Sequence, residues 1–144
     1  MEVHDLPFNR FLGIKMSDRP ELGLLQLDDL PQYENHLGTV HVCAQFALAE
    51  ACGGYLLVTA LGDRLAGCDA VMRRAETRLR KPAAGVLYAR APEAGEAVAR
   101  AIDEMRQRGR SLLAVPVEVV DATGATTLGA TFEWFLQRRT ALAS

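Results

Sequence analysis

Apolar and polar positions along this chain repeat with two periods, one typical of helices and one of strands. The longest apolar segment runs from Val42 to Gly62 and contains Glu50 as its only charged side chain. It predicts a helix over residues 41–61 that is buried on nearly all sides. Alternation with period two over residues 70–80 predicts a strand with one solvated face. Helical spacing returns at residues 92–108, where acidic residues come first and arginines last, as the helix dipole favours.

Shorter periodic segments predict the rest of the fold. We expect a short helix at residues 6–12 and strands at residues 13–17, 22–27, 86–91, 112–120 and 126–136. Short turns join several of these strands, which favours an antiparallel sheet, and Pro116 predicts a bulge or an edge within it. Only this sheet is available to cover the apolar helix. The predicted fold class is therefore α+β: an antiparallel β-sheet wrapped around one long central helix, with an extra helix inserted between strands, in a single domain of residues 1–144.

Composition and charge narrow the possible partners. The chain has 144 residues, of which 49% are hydrophobic and 24% are charged, an ordinary composition for a soluble globular protein. Its formal net charge of −2 argues against nucleic acid as the main partner. The apolar helix is about as long as a membrane span, but Gln45 and Glu50 favour a buried helix and no membrane partner. The first residues do not resemble a secretory signal, so the cytoplasm is the default location.

Glu50 is the first candidate for chemistry. An ionised carboxylate in an apolar helix is costly unless a partner compensates it, and such perturbed groups cluster at functional sites. A polar stretch with two histidines, residues 35–41, lies just upstream. The residues alone leave two interpretations open: a catalytic carboxylate whose pKa is raised by desolvation, or a structural one at a subunit interface, paired with Gln45, a His or a Tyr. The three cysteines have no CxxC spacing, so we expect neither a disulfide framework nor a metal site.

Several spacings together resemble one known family. Asn35 precedes His41 by six residues, and His41 precedes Glu50 by nine. A basic-Pro-x-x-Gly turn follows at residues 81–85. These features resemble the hotdog-fold acyl-CoA thioesterases, particularly the phenylacetate-pathway type and the related DUF4442 domains. In that family an Asn-containing loop leads into His-Gly-Gly at the start of the central helix, and an Asp or Glu follows nine residues after the His. The helix at residues 92–108 is similar to an insertion of the DUF4442 branch.

The resemblance implies hydrolysis of acyl-CoA-type thioesters to free acid and coenzyme A. The family polarises the thioester carbonyl with the backbone N–H of its first Gly, a position that Val42 occupies here. Glu50 would activate water or attack directly, Asn35 would orient water or substrate, and His41 would assist as a base or hydrogen bonder. Coenzyme A is part of the substrate, so we expect no separate cofactor and no metal.

Helical geometry adds a constraint on this site. Nine residues at about 100° each place His41 and Glu50 on opposite sides of one helix. The resemblance implies a site shared across the two-fold interface of a homodimer, with a homotetramer as a further assembly. The basic residues Arg78, Arg80 and Lys81 would meet the phosphates of coenzyme A, unless they only form a solvated strand face.

Two other functions remain open. The family's Gly-Gly is Val42-Cys43 in this chain, and these side chains could narrow the approach of the substrate, with Cys43 beside it. That departure favours a non-catalytic protein that binds an acyl-CoA or a small acyl or aryl ligand. A dehydratase ranks third, because it would need a working His and only His41 is near the helix. We expect His36 to be a loop residue and His4 to be exposed.

Overall fold

The computed structural model describes residues 2–140. Three α-helices lie within them: α1 Pro7–Phe11, α2 Val42–Leu61 and α3 Gly95–Arg108. Six strands accompany them: β1 Lys15–Met16, β2 Leu25–Leu27, β3 Cys68–Leu79, β4 Leu87–Arg90, β5 Arg110–Asp121 and β6 Thr126–Arg138. Every helix and strand that the periodicity predicts is present. The strands β1 and β2 begin later than predicted. The amides of Gly13 and Ile14 donate to carbonyls of α1, and those of Leu22 and Gly23 donate to the Arg19 carbonyl, so these residues form turns before the strands.

The six strands form one antiparallel sheet in the order β1-β2-β4-β5-β6-β3. Helix α2 packs against β2, β4, β5 and β6 on one face of this sheet, which confirms the predicted sheet around a long central helix. By length and composition the segment Val42–Leu65 could cross a membrane, but here it is the helix that the sheet covers. Helix α3 follows β4, packs against β5 and ends at Gly109, whose φ of 69° suits a left-handed C-cap.

Alternation along β5 and β6 builds most of the core. Their inward side chains are almost fully buried and face α2: Leu113, Val115, Val117, Val119, Leu128, Ala130, Phe132, Trp134 and Leu136. Gly53 of α2 faces these strands directly, because a Cβ at this position would be in van der Waals contact with Cδ2 of Phe132, 3.4 Å away. The two strands and the helix are therefore fixed against each other at the centre of the sheet.

Strand β3 lies at the outer edge of the sheet, and the second half of its inner face is uncovered. Although β3 and β4 are consecutive, β5 and β6 separate them, and β3 pairs only with β6. The register places Ala75, Thr77 and Leu79 on the face that β6 buries under α2, yet all three are exposed, Leu79 by 58%. The sequence predicts one solvated face for this strand. Ala70 and Met72 pack against the core as that predicts, but after the register shift that follows Met72 both faces are exposed in a single chain, because α2 does not extend over that half of β3.

Pro116 lies where β5 has no strand on one side. Strand β4 pairs with β5 only from Glu118 to Asp121, so the half of β5 that contains Pro116 is a local edge. An edge tolerates the missing N–H of proline, and the predicted bulge or edge is thus an edge. The nearby register shift falls between Val119 and Val120.

Candidate active site

The start of α2 presents a free backbone donor. His41 is the N-cap, and its Nδ1 accepts the N–H of Cys43 at 3.0 Å. The backbone N–H of His41 donates to the Tyr33 carbonyl at 2.7 Å, which fixes the entry of the chain into the helix. The N–H of Val42 has no acceptor within residues 2–140, because the first helical residue lacks an intrahelical partner. It points from the positive end of the helix dipole.

Buried hydrogen bonds hold this helix start in place. Gln45 is buried; its Nε2 donates to the Val40 carbonyl at 3.3 Å and its Oε1 accepts from Thr127 at 2.9 Å. The N–H of Val40 donates to the Ala83 carbonyl at 2.8 Å, which brings the turn at residues 81–85 beside the helix start. Sequence reasoning missed this positioning role, although an isolated amide in an apolar helix is a signal for it. Gln45 is also not a partner of Glu50, which removes one of the expected pairings.

Asn35 shapes the loop before the helix. Its Oδ1 accepts the backbone N–H groups of Leu37 at 2.9 Å and Thr39 at 3.1 Å, and its Nδ2 donates to the Thr39 hydroxyl at 2.8 Å. These bonds close a tight turn over residues 35–39. One Nδ2 proton stays available for another acceptor.

Glu50 lies on the less buried side of α2. It shares this side, by helical spacing, with Cys43, Ala47 and Gly54. The carboxylate is half-buried and makes no hydrogen bond or ion pair in the part of the chain that the structure describes. Burial raises the pKa of Glu50 above its ordinary value. A carboxylate whose pKa is raised in this way is a stronger base than an ordinary one, which suits a general base.

The helix start and Glu50 do not converge within one chain. Eight residues separate Val42 from Glu50, which corresponds to about 12 Å along the helix axis. A thioester carbonyl held by the Val42 amide is therefore out of reach of the same chain's carboxylate. The structure brings Asn35, His41, Val42 and Cys43 together at one end of α2 and leaves Glu50 two turns away.

The basic residues Arg78, Arg80 and Lys81 differ in whether another group of the chain already pairs with their charge. The Nζ of Lys81 lies 2.8 Å from Oδ2 of buried Asp121, and this contact, with the Thr123 hydroxyl, holds the pKa of the Asp121 carboxyl far below its usual range. Arg78 and Arg80 are exposed and have no carboxylate partner among residues 2–140. They line an open depression of about 620 Å³ that also contains Glu76, Glu93 and Glu118. Lys81 is thus engaged internally, and the two arginines lie in a mixed-charge surface.

The remaining histidines lie outside this constellation. His36 is exposed in its loop, as predicted. His4 is half-buried rather than exposed, because its turn packs against α2, and its Nδ1 has no hydrogen-bond partner in the described chain. Between residues 2 and 140, His, Cys, Asp and Glu form no group that could hold a metal ion.

The sequence and the fold both match known proteins. The model of the family described as a domain of unknown function, DUF4442, matches residues 7–136. The fold is similar to a protein of unknown function and probable thioesterase from Pseudomonas aeruginosa, with 22% identity, coverage of 95% of this chain and 91% of that one, and a TM-score of 0.80. No curated protein matches the sequence significantly.

Two further solved structures share this fold. One is a thioesterase candidate from Shewanella oneidensis, with 15% identity, coverage of 94% and 90%, and a TM-score of 0.64. The other is a Bacillus halodurans protein solved with CoA, with 20% identity, coverage of 90% and 74%, and a TM-score of 0.64. Such distant likenesses establish the hotdog fold that the sequence predicts.

Proposed function

The chain belongs to the DUF4442 family, and from that premise we propose that it hydrolyses acyl-CoA-type thioesters to a free acid and coenzyme A. The observation that carries this proposal is the half-buried Glu50 carboxylate, which has no partner within residues 2–140. Leaving such a group uncompensated costs stability. Carboxylates with such a perturbed environment cluster at functional sites, so a catalytic role for Glu50 would explain why the protein retains it despite the loss of stability.

The proposed reaction uses two groups on α2, the Glu50 carboxylate of one chain and the Val42 N–H of a second chain. Glu50 accepts a proton from a water molecule while the water oxygen forms a bond to the thioester carbonyl carbon. The N–H of Val42, at the helix N-terminus, donates to the developing oxyanion. When the tetrahedral intermediate collapses, the carbon–sulfur bond breaks and the thiolate of coenzyme A leaves. Glu50 gives its proton to this thiolate and is again ionised for the next turnover. The raised pKa of Glu50 makes it a stronger base than an ordinary carboxylate.

A second chain supplies the missing half of each site. The inner face of β3 carries Ala75, Thr77 and Leu79 without cover, and burying such a face favours association of two copies. In a two-fold pair with antiparallel α2 helices, Glu50 of one chain approaches Val42 and Asn35 of the other. Each dimer then has two equivalent sites.

The substrate class rests on the family resemblance and on one relative. The Bacillus halodurans protein with this fold was solved with CoA, which supports a CoA thioester as substrate here. Arg78 and Arg80 are the free cations that we assign to its phosphates. Lys81 could join them only by leaving Asp121, 2.8 Å away.

A non-catalytic acyl-binding protein is the second candidate. Val42 is 39% exposed and Cys43 is exposed at the helix start, where the resembling family has Gly-Gly. Their side chains narrow the space in front of the Val42 amide. Such a site would hold an acyl or aryl group without placing its carbonyl on the donor.

A thiol-release assay with short-chain, long-chain and aryl-CoA thioesters separates these functions. We expect turnover of at least one substrate class and a loss in kcat of about 10²-fold or more in Glu50→Gln, since general-base catalysis contributes about 10²–10⁴-fold. Glu96→Gln is the matched control, because Glu96 is exposed, is unpaired among residues 2–140 and lies outside the depression that contains Arg78 and Arg80. Measurable acyl-CoA binding with no turnover of any substrate would establish the binding protein instead.

Complementation between two inactive variants tests the shared site. Val42→Pro removes the donor at the first helical position, where proline is well tolerated, and His41 already has a compatible extended backbone, with φ −57° and ψ 137°. Refolding an equal mixture of Val42→Pro and Glu50→Gln chains should restore about a quarter of wild-type activity, because half of the dimers then contain one intact site. A site within a single chain would give no recovery.

A further inference from the structure

A second cavity lies far from Glu50, between the C-terminal ends of α2 and α3. Its volume is about 520 Å³, which is in the range of small-molecule sites. Apolar side chains from both helices, the following turn and β6 form its walls: Leu61, Leu65, Ile102, Met105 and Leu136. Leu61 follows Glu50 by eleven residues, about 16 Å along the helix axis, so this cavity is separate from the proposed hydrolytic site.

Arginines surround the opening of this cavity: Arg64, Arg106, Arg138 and Arg139. Two of them face carboxylates, since Arg139 lies 2.7 Å from Asp69 and Arg106 lies 3.8 Å from Asp103. The other two have no carboxylate partner within residues 2–140. Among residues 2–140 no acidic side chain lines the cavity, so the described side chains around it carry a positive charge.

The two unpaired guanidinium groups are positioned differently. Arg138 donates from Nη2 to the Met105 carbonyl at 3.0 Å, a contact that also stabilises the C-terminal end of α3. Arg64 lies in the turn after α2, and its carbonyl accepts a hydrogen bond from the Cys68 thiol at 3.2 Å. Its guanidinium has no hydrogen-bond partner in the described part of the chain. Helix capping therefore explains Arg138 but leaves Arg64 without a structural role.

We propose that this cavity binds an amphiphilic carboxylate, with its apolar chain against the walls and its carboxylate on Arg64 and Arg138. The apolar interior excludes a ligand that is polar throughout. The planar donor fork of arginine matches a carboxylate in a bidentate contact. A free fatty acid of medium chain length has this chemistry. The proposal depends on the cavity alone and stands whether or not the chain hydrolyses thioesters.

Methionine methyl groups report where such a ligand binds. The chain has four methionines; Met105 lines this cavity, Met72 lies on the inner face of β3 near the proposed subunit interface, and Met16 lies on β1. We expect decanoate to shift the ¹³C-methyl signal of Met105, assigned with Met105→Leu, and to leave those of Met72 and Met16 in place. A shift of Met72 or Met16 without a shift of Met105 would place the acid outside this cavity and overturn the proposal.

Calorimetric titration tests the chemistry of recognition. Decanoate should bind about tenfold more tightly than octanoate, because two further methylenes are partly buried, and more tightly than decanol. Arg64→Gln should weaken decanoate binding about threefold to tenfold. The control Arg100→Gln, an exposed arginine of α3 that does not line the cavity, should leave it unchanged. Equal effects of both variants, equal binding of decanol, or tighter binding of decyl phosphate would overturn the assignment to carboxylates.

Discussion

Replacement of Glu50 by Gln should stabilise the folded protein while removing its activity. The carboxylate is half-buried and has no partner within residues 2–140, and burial raises its pKa above the reference value of 4.5. A raised pKa means that the stability associated with the protonated form is fully present below the unfolded pKa and is lost as the pH rises through the folded pKa. Gln mimics the protonated form at every pH, so Glu50→Gln avoids this loss.

The expected gain is modest, because Glu50 keeps part of its hydration. A fully buried, uncompensated polar group costs about 1–3 kcal/mol, and more when it is charged. Partial solvation reduces this, and we expect about 0.5–1.5 kcal/mol at pH 8. For a chain of this length that corresponds to a rise in Tm of about 2–4 °C. At pH 4 the wild type is largely protonated in both states, and the difference should disappear.

Urea unfolding of wild type and variant at pH 8 and pH 4 measures this difference. All samples need the same protein concentration, because association of two chains adds to the apparent stability. Glu93→Gln provides the baseline for removing an exposed carboxylate. A variant that is less stable than wild type at pH 8 would refute the reasoning, because it would show that the ionised carboxylate has a stabilising partner in the assembled protein. Glu50 would then be a structural residue of the interface.

Other predictions follow from single positions. Asp121→Ala should lower the free energy of unfolding at neutral pH, measured with urea, by about 2–4 kcal/mol, because buried Asp121 accepts several hydrogen bonds. The same contacts lower the pKa of Asp121, so the difference in stability between wild type and variant should shrink as the pH falls below about 4. Gly23→Ala should lower Tm strongly, because a Cβ at this position would lie 2.6 Å from a backbone oxygen of β4. At Gly95 a Cβ would meet open space, so Gly95→Ala should raise the free energy of unfolding by about 0.5–1 kcal/mol. Burial raises the pKa of the Cys52 thiol to about 12. Iodoacetamide at pH 8 should therefore modify exposed Cys43 and leave Cys52 intact, which peptide mass spectrometry can measure. Modification of Cys52 in the native protein would contradict its burial.

The helices could be predicted closely because their patterns are strong. Helix α2 begins at Val42 and ends at Leu61, within one residue of the predicted range. Its apolar run is long, and a capping His precedes it. Helix α3 ends at Arg108 and is capped by Gly109, as expected. It begins at Gly95 rather than at residue 92, since Pro92 and Glu93 form a turn before it. Local signals were sufficient for these elements.

Pairings between distant residues could not be predicted in this way. The ion pair of Lys81 with Asp121 joins residues that are 40 positions apart, and nothing in the sequence indicated that a residue predicted to contact phosphates would also make this pair. The separation of β3 from β4 by two other strands likewise depends on how the later hairpin inserts into the sheet. The contacts of Asn35 were also not predicted, although its partners are close in sequence. Most of the donors and acceptors of its side chain are used within its own turn.

The edge strand connects these observations to function. Along β3 the inward residues are apolar or small and the outward ones are mostly charged, the alternation expected of a strand that buries one face. Yet within residues 2–140 no helix covers the half of that face that carries Ala75, Thr77 and Leu79, and a second molecule that buries it would explain the pattern. A second copy of the chain would cover this face, and it would also bring its Val42 amide toward Glu50, which has no partner within residues 2–140. If the chain remains monomeric in sedimentation equilibrium at micromolar concentration, the uncovered strand and the isolated carboxylate lose their common explanation, and the shared-site mechanism fails with it.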